Sequence, residues 1–161
     1  EVAIPAGITA FALARRLDRP ALAMLVSCMQ RLEAGETLDG APQPTRGISY
    51  APSPSEDDTW VDWHASAEVV ERLVRACAPY PGAGAELDGT SVEIERVRIA
   101  TEPAPRALEA AEAYRTAEGE VAVKCGEGAV VLERVRALGG ETLDAAELLG
   151  LVRPEQADDQ A

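Results

Sequence analysis

The chain offers few groups able to make or break a covalent bond. Its one histidine, His64, lies between Trp63 and Ala65, and no carboxylate–nucleophile constellation surrounds it in the sequence. There is no asparagine at all. Cys28, Cys77 and Cys125 stand far apart, each inside an apolar pattern. An odd count without a CxxC pair argues against a disulfide framework or a zinc site and for buried free thiols in a reducing cytoplasm. The remaining candidates are groups that hold rather than react. Trp60 and Trp63 have the flat faces that stack on a nucleotide base, and equally the bulk that packs a linker onto a domain. Arg75 has a fork for a phosphate or carboxylate, but Glu71 lies one turn back as a partner. Tyr80 is held stiffly between Pro79 and Pro81. The candidate binding set is therefore Trp63, Arg75 and Tyr80, with no catalytic residue and no metal ligand.

Composition narrows the partners. The 161 residues carry 28 acidic and 15 basic side chains, for a formal net charge of −13. The excess is spread along the chain: residues 83–153 alone hold 14 acids against 8 bases. Phosphate neutralisation supplies most nucleic-acid affinity, so the absence of a basic stretch argues against nucleic acid as a partner. No apolar run approaches the ~18 residues of a membrane helix, and no signal peptide is visible; a soluble, cytoplasmic protein is expected. The hydrophobic fraction, 47%, is ordinary, but only six residues are aromatic, so the core must be mostly Val, Leu, Ile and Ala. Glu1–Pro5 has the character of a strand entered midway, and a chain starting at Glu1 is expected to be a piece of a longer protein or a processed product.

Periodicity places these residues. Thr9–Leu17 has helical spacing, and Pro20, a poor interior residue but a good first-turn one, predicts a break or kink at Asp18-Arg19. A second helix is expected over Pro20–Glu33, with Leu22, Leu25, Val26, Met29 and Leu32 on one face and Gly35 as C-cap. Residues 35–58, rich in proline, glycine and serine, form a linker. Ser66 is a helix N-cap, with Ala67, Val70, Leu73, Val74 and Cys77 along one face up to the Pro79–Ala83 turn. From Ala85 the period becomes two. Leu87-Asp88-Gly89-Thr90 signals a hairpin. Val92 and Ile94 share one parity while Val97 and Ile99 share the other, so burying all four needs a bulge near Glu95-Arg96. Thr101–Gly119 is a polar, alanine-rich excursion. Val121, Val123 and Cys125 alternate, Gly126-Glu127-Gly128 turns, and residues 129–136 return. Gly139-Gly140 closes that strand, Asp144–Glu147 has the spacing of a capping box for a short helix through Leu149, and residues 154–161 are an acidic, disordered tail. The expected architecture is α+β: helices, a linker, one more helix, then four or five short strands in a small, partly open β-barrel.

Several stretches resemble one family. Trp60-Val61-Asp62-Trp63, the helix ending Arg75-Ala76, and Pro79-Tyr80-Pro81-Gly82-Ala83 are similar to the start of the C-terminal domain of the methionyl-tRNA formyltransferase-like family. Ile48-Ser49-Tyr50-Ala51-Pro52 resembles its Tyr-Ala-Pro linker, residues 9–35 its interdomain helices, and the Gly-Gly and Leu-Asp-Ala-Ala-Glu-Leu-Leu ending its closing strand and helix. The resemblance implies residues 1–34 as the end of an N-terminal domain with interdomain helices, 35–58 as linker and 59–153 as an OB-like C-terminal domain. It implies formyl transfer from 10-formyltetrahydrofolate to an amine, with folate and the catalytic Asn, His and Asp in an N-terminal Rossmann-like domain outside this segment. Arg75, Tyr80 and Trp63 would then face the acceptor. Relatives that formylate tRNA tend to be basic here and usually have Lys after the Gly-Gly; this chain is acidic and has Glu141. The Pro-Tyr-Pro-Gly-Ala turn also resembles relatives that formylate amino sugars, so a small-molecule amine is slightly favoured over tRNA. The alternatives are a tRNA-binding module and a non-catalytic interaction domain that kept the fold.

Overall fold

A computed structural model describes residues 2–138, 140–143, 147 and 150. The chain divides into two units, Glu1–Pro54 and Ser55–Ala161. In the first, one helix, α1 (Ala10–Glu33), runs through the position where the sequence predicts a break or kink, so the second helix expected from Pro20 is its continuation. Thr9 caps it by accepting the Ala12 amide at 3.1 Å. Pro20 removes the N–H that would bond the Arg16 carbonyl and crowds that carbonyl with its ring, but its fixed φ is already helical. The flanking alanines, leucines and arginines favour the helix strongly enough to carry it across. At the other end Gly35 has φ +79°, and the amides of Gly35 and Glu36 bond the carbonyls of Leu32 and Arg31, both at 2.9 Å. This left-handed closure is the predicted glycine cap. No α1 residue is buried, and the expected apolar face, Leu22, Leu25, Val26, Met29 and Leu32, is exposed. Residues 2–5 carry no regular structure where a strand end is expected, since no partner strand bonds them among the described residues.

The second unit is α+β, as expected. After a single 3-10 turn (Asp57–Thr59), α2 (Ala67–Cys77) begins at Ser66, whose hydroxyl accepts the Val69 amide at 3.4 Å. Its predicted face is the buried one: Ala67, Val70, Val74 and Cys77 enter the core, with Leu73 partly buried beside them. Six antiparallel strands follow: β1 (Ala83–Leu87), β2 (Thr90–Ile99), β3 (Ala113–Arg115), β4 (Val121–Lys124), β5 (Ala129–Ala137) and β6 (Thr142–Leu143). Their order is β1-β2-β5-β4-β3, and β6 pairs the end of β5. The sequence shows four or five because β3 and β6 are too short to display a period of their own. α2 packs on β1, β2 and β5 over Leu87, Val92, Ile94, Val123, Val130 and Val135. The result is the small, partly open barrel.

Two local devices set its register. Asp88 (φ 47°) and Gly89 (φ 75°) make a two-residue turn with both central residues left-handed, matching the twist of the Leu87↔Thr90 hairpin. In β2, Ile94 faces Val135 and Arg96 faces Arg134, so Glu95 is the extra residue of the expected bulge. Val97 then faces Leu132, which leaves Glu133 extra on β5 and restores the count. Val92, Ile94 and Val97 are thereby all buried, whereas Ile99, at the strand's end, is exposed. Gly139, the Asp144–Glu147 cap with its helix through Leu149, and the tail lie outside the described residues, except Gly140, Glu147 and Gly150 themselves.

The barrel is closed by a strap, residues 60–66. One end joins β1: the Val61 amide bonds the Gly84 carbonyl at 2.8 Å, and Trp60 bridges Gly84. The other end joins the β4–β5 turn. There the Gly126 amide bonds the carbonyls of Trp63 (2.8 Å) and Ala65 (3.0 Å), and the Ala67 amide bonds Glu127 at 2.8 Å. A Cβ on Gly126 would sit 2.0 Å from the His64 carbonyl oxygen, so two backbones must part before any side chain fits. Gly126→Ala is expected to cost about 2–3 kcal/mol of unfolding free energy, as for an overpacked core site. Urea unfolding checks this, and a loss within measurement error would mean that the strap does not hold the turn.

Candidate functional site

The predicted binding residues have three different settings. Trp63 is 5% exposed, and its indole N–H donates to the Glu86 carbonyl of β1 at 3.0 Å. Both the ring's apolar area and its one donor are thereby engaged in the strap. Trp60 lies flat over Gly84, where an added Cβ would come within 3.0 Å of its ring, and keeps one side exposed. Arg75, in the last turn of α2, is part-buried and grips Glu71 through Nε at 2.9 Å and Nη2 at 3.3 Å. Tyr80 stands out from the Pro79–Pro81 turn, 85% exposed, with cis peptide bonds before both prolines. His64 is exposed and hydrogen-bonds locally, its amide donating to Asp62 Oδ1 at 2.9 Å. None of these residues lines the unit's cleft.

The cleft lies on the other side of the sheet. Register carries one row across four strands: Arg98 of β2 faces Val131 of β5, Val131 faces Ala122 of β4, and Ala122 faces Tyr114 of β3. Alternation turns this row away from the α2 core. The row is small in the middle and large at both ends. The excursion from Ala100 folds back over it, leaving Val131 and Ala122 buried outside the main core and enclosing a cleft of about 360 Å³. Its walls include Arg98 and Glu120, joined by a short hydrogen-bonded ion pair, and Arg115, which donates to the Gly119 carbonyl at 2.9 Å. Thr101, Glu102, Tyr114 and Glu118 also line it. Sequence reasoning missed this site, because Thr101–Gly119 shows no periodicity to indicate that it returns to the sheet.

Along β2 and β5 the same outer face is a ladder of ion pairs. Arg96 meets Glu133 at 2.7 Å, Arg98 reaches Glu133 at 3.8 Å, Arg134 reaches Glu95 at 3.8 Å, and Arg136 meets Glu93 at 2.5 Å and Glu95 at 3.7 Å. The two residues added by the register shifts, Glu95 and Glu133, are both in it. Each partly exposed pair is worth ~0.2–1 kcal/mol, so the ladder matters more for surface potential than for stability. Among the described residues no group of three or more His, Cys, Asp and Glu side chains is placed to hold a metal ion. No helix among the described residues is long and apolar enough to cross a membrane.

Residues 55–151, the strap, helix and barrel, match the family model described as formyl transferase, C-terminal domain. The chain belongs to that family. This formyltransferase C-terminal domain and the helix before it are 37% identical, over 92% of the chain, to a methionyl-tRNA formyltransferase of Sinorhizobium medicae. The figures for that of Burkholderia multivorans are 35% and 92%, and for that of Frankia alni 36% and 77%. The chain spans less than half of each relative: 46%, 45% and 37% respectively. HypX from Aquifex aeolicus has the same fold, with a TM-score of 0.68 at 19% identity over 92% of this chain and 27% of that one. Its structure in complex with tetrahydrofolic acid aligns with a TM-score of 0.60 at 22% identity, over 81% of this chain and 22% of that one.

The formyltransferase domain's thiols provide a check on its core. Burial raises the pKa of both Cys77 and Cys125, that of Cys125 from 9.0 to about 11. Below pH 9 the folded and unfolded thiols are both neutral, so this group leaves stability unchanged. Between pH 9 and about 11 only the unfolded thiolate forms, so stability falls as pH rises. A thiol reagent at pH 8 is expected to label Cys28 readily and Cys77 and Cys125 only on unfolding. Rapid labelling of Cys125 in the folded chain would contradict the buried site.

Proposed function

We propose that this domain is the acceptor-side part of a formyltransferase that moves the formyl group of 10-formyltetrahydrofolate to an amine, and that the amine belongs to a small molecule such as an amino sugar. The family membership supports formyl transfer. In that reaction the amine, deprotonated by a general base, attacks the formyl carbon, a donor stabilises the oxyanion, and the bond to the folate nitrogen breaks. In this reading the base, the donor and the folate site belong to an N-terminal Rossmann-like partner domain, since His64 stands alone and the chain has no asparagine. The segment by itself is then inert. The C-terminal domain would help hold the acceptor, with the exposed Tyr80 as the most available of the three candidate residues. Arg75 would have to release Glu71 first, and Trp63 would act only by fixing the strap.

The observation carrying the choice of acceptor is the ladder. Arg75, Arg96, Arg98, Arg134 and Arg136 are all paired with carboxylates of the domain's own surface. A polyanion gains affinity by releasing counterions from its phosphates, and guanidinium groups already neutralised by neighbours give it little. One observation favours a second reading, in which the acceptor is a methionyl-tRNA: the relatives from Sinorhizobium medicae, Burkholderia multivorans and Frankia alni are each named methionyl-tRNA formyltransferase.

The intact parent polypeptide, supplied with 10-formyltetrahydrofolate, is expected to formylate an amino-sugar nucleotide and not a methionyl-tRNA. Filter binding of tRNA should be weak, with a log–log salt slope near zero. Formylation of the tRNA, with a steep salt slope, would replace the first reading with the second. Failure to formylate any amine would remove both.

A further inference from the structure

The cleft of the outer face combines three properties that bear on what it can hold. Its size falls within the range of about 300–1,000 Å³ typical of small-molecule sites. Its floor is small and apolar: Val131, in the middle of the row, exposes almost nothing to water, while Tyr114 and Arg98 rise at the two ends. Its polar groups divide sharply. Of the positive ones, Arg98 is paired with Glu120 and Glu133, while Arg115 gives one N–H to the Gly119 carbonyl and keeps its charge. Among the described residues, the side chains of Glu102, Tyr114 and Glu118 make no hydrogen bond or ion pair with the chain. Two guanidinium groups against three carboxylates leave the lining acidic.

From this asymmetry we infer that the cleft binds a small hydroxylated amine, its ammonium group held by Glu102 and Glu118 and a hydroxyl held by the half-buried Tyr114 phenol over the Val131 floor. An anion could reach Arg115 but would meet the carboxylates of Glu102 and Glu118 in the same wall. A neutral sugar would satisfy the phenol but leave both carboxylates with water alone. A flat apolar ligand would leave all of these groups without partners, which costs affinity. Burial, foremost, raises the Tyr114 pKa, so the phenol remains protonated at neutral pH and keeps both its donor and its acceptor. The inference stands on the cleft alone. It holds or fails whether or not the domain's parent transfers formyl groups.

Amide NMR of the full 161-residue chain tests it, with glucosamine, glucose and glucose 6-phosphate as probes. Glucosamine is expected to shift amides of residues 101–102 and 114–120, saturating in the roughly millimolar range. Glucose and glucose 6-phosphate should bind at least about tenfold more weakly, the value of one charge-assisted hydrogen bond. The double substitution Glu102→Gln, Glu118→Gln, at two exposed positions that the fold does not need, should reduce glucosamine binding by about tenfold or more and keep the dispersed spectrum. Tyr114→Phe should weaken it severalfold. Absence of shifts in these segments, equal binding of glucose or glucose 6-phosphate, or undiminished binding by the double variant would each overturn the inference.

Discussion

The second unit depends on a place where two stretches of backbone touch with no side chain between them. Gly126, in the β4–β5 turn, donates its amide to the strap carbonyls of Trp63 and Ala65, while the strap's other end is bonded to β1. β1 is an edge of the sheet, and the β4–β5 turn lies beyond β2 and β5 from it. Seven residues therefore span an opening that six strands leave. The arrangement explains why two tryptophans lie so close in sequence. Trp60 needs the bare backbone of Gly84 beneath it, and Trp63 needs a carbonyl, that of Glu86, for its buried N–H. α2 starts directly from this strap, so the helix enters the core at an angle fixed by the same few hydrogen bonds.

The two faces of the sheet solve different problems. Toward α2 the residues are aliphatic, and the register shift in β2 exists to keep Val97 on that side after Ile94. Away from it, β2 and β5 face water with matched charges. The shifts link the two faces: each adds one glutamate, Glu95 on β2 and Glu133 on β5, and both glutamates join the ladder. A strongly acidic chain thereby shows, on this face, a surface close to neutral. Net charge alone overstates how the domain would look to an anion approaching this side.

Much of this was legible in the residues. The α2 face, the Asp88-Gly89 turn, the bulge and the glycine end of α1 all follow from short-range chemistry, which the sequence displays within a few positions. The misses share a cause as well. Pro20 predicts a break or kink, but its cost, one hydrogen bond and a ring set against the Arg16 carbonyl, is outweighed by strong helix formers on both sides. β3 is three residues long, and its strand character comes from pairing with β4, not from any alternation of its own. The cleft was invisible for the same reason: Arg98 and Tyr114 are 16 positions apart and meet only through the register of four strands. Trp63 was legible as an aromatic with a role, but the choice between stacking and packing required knowing that Glu86 offers its carbonyl.

The placing of the two tryptophans has an optical consequence. Both lie in the barrel unit, one sealed against β1 and one half open to solvent, while residues 1–54 contain none. Intrinsic indole emission from this chain is therefore a report on the strap and barrel alone, with the Trp63 component shifting to the red when the strap lifts. The helix at the start of the chain carries no indole of its own, and far-ultraviolet circular dichroism is needed to follow it directly. Disagreement between the two probes would measure how independently the two units unfold.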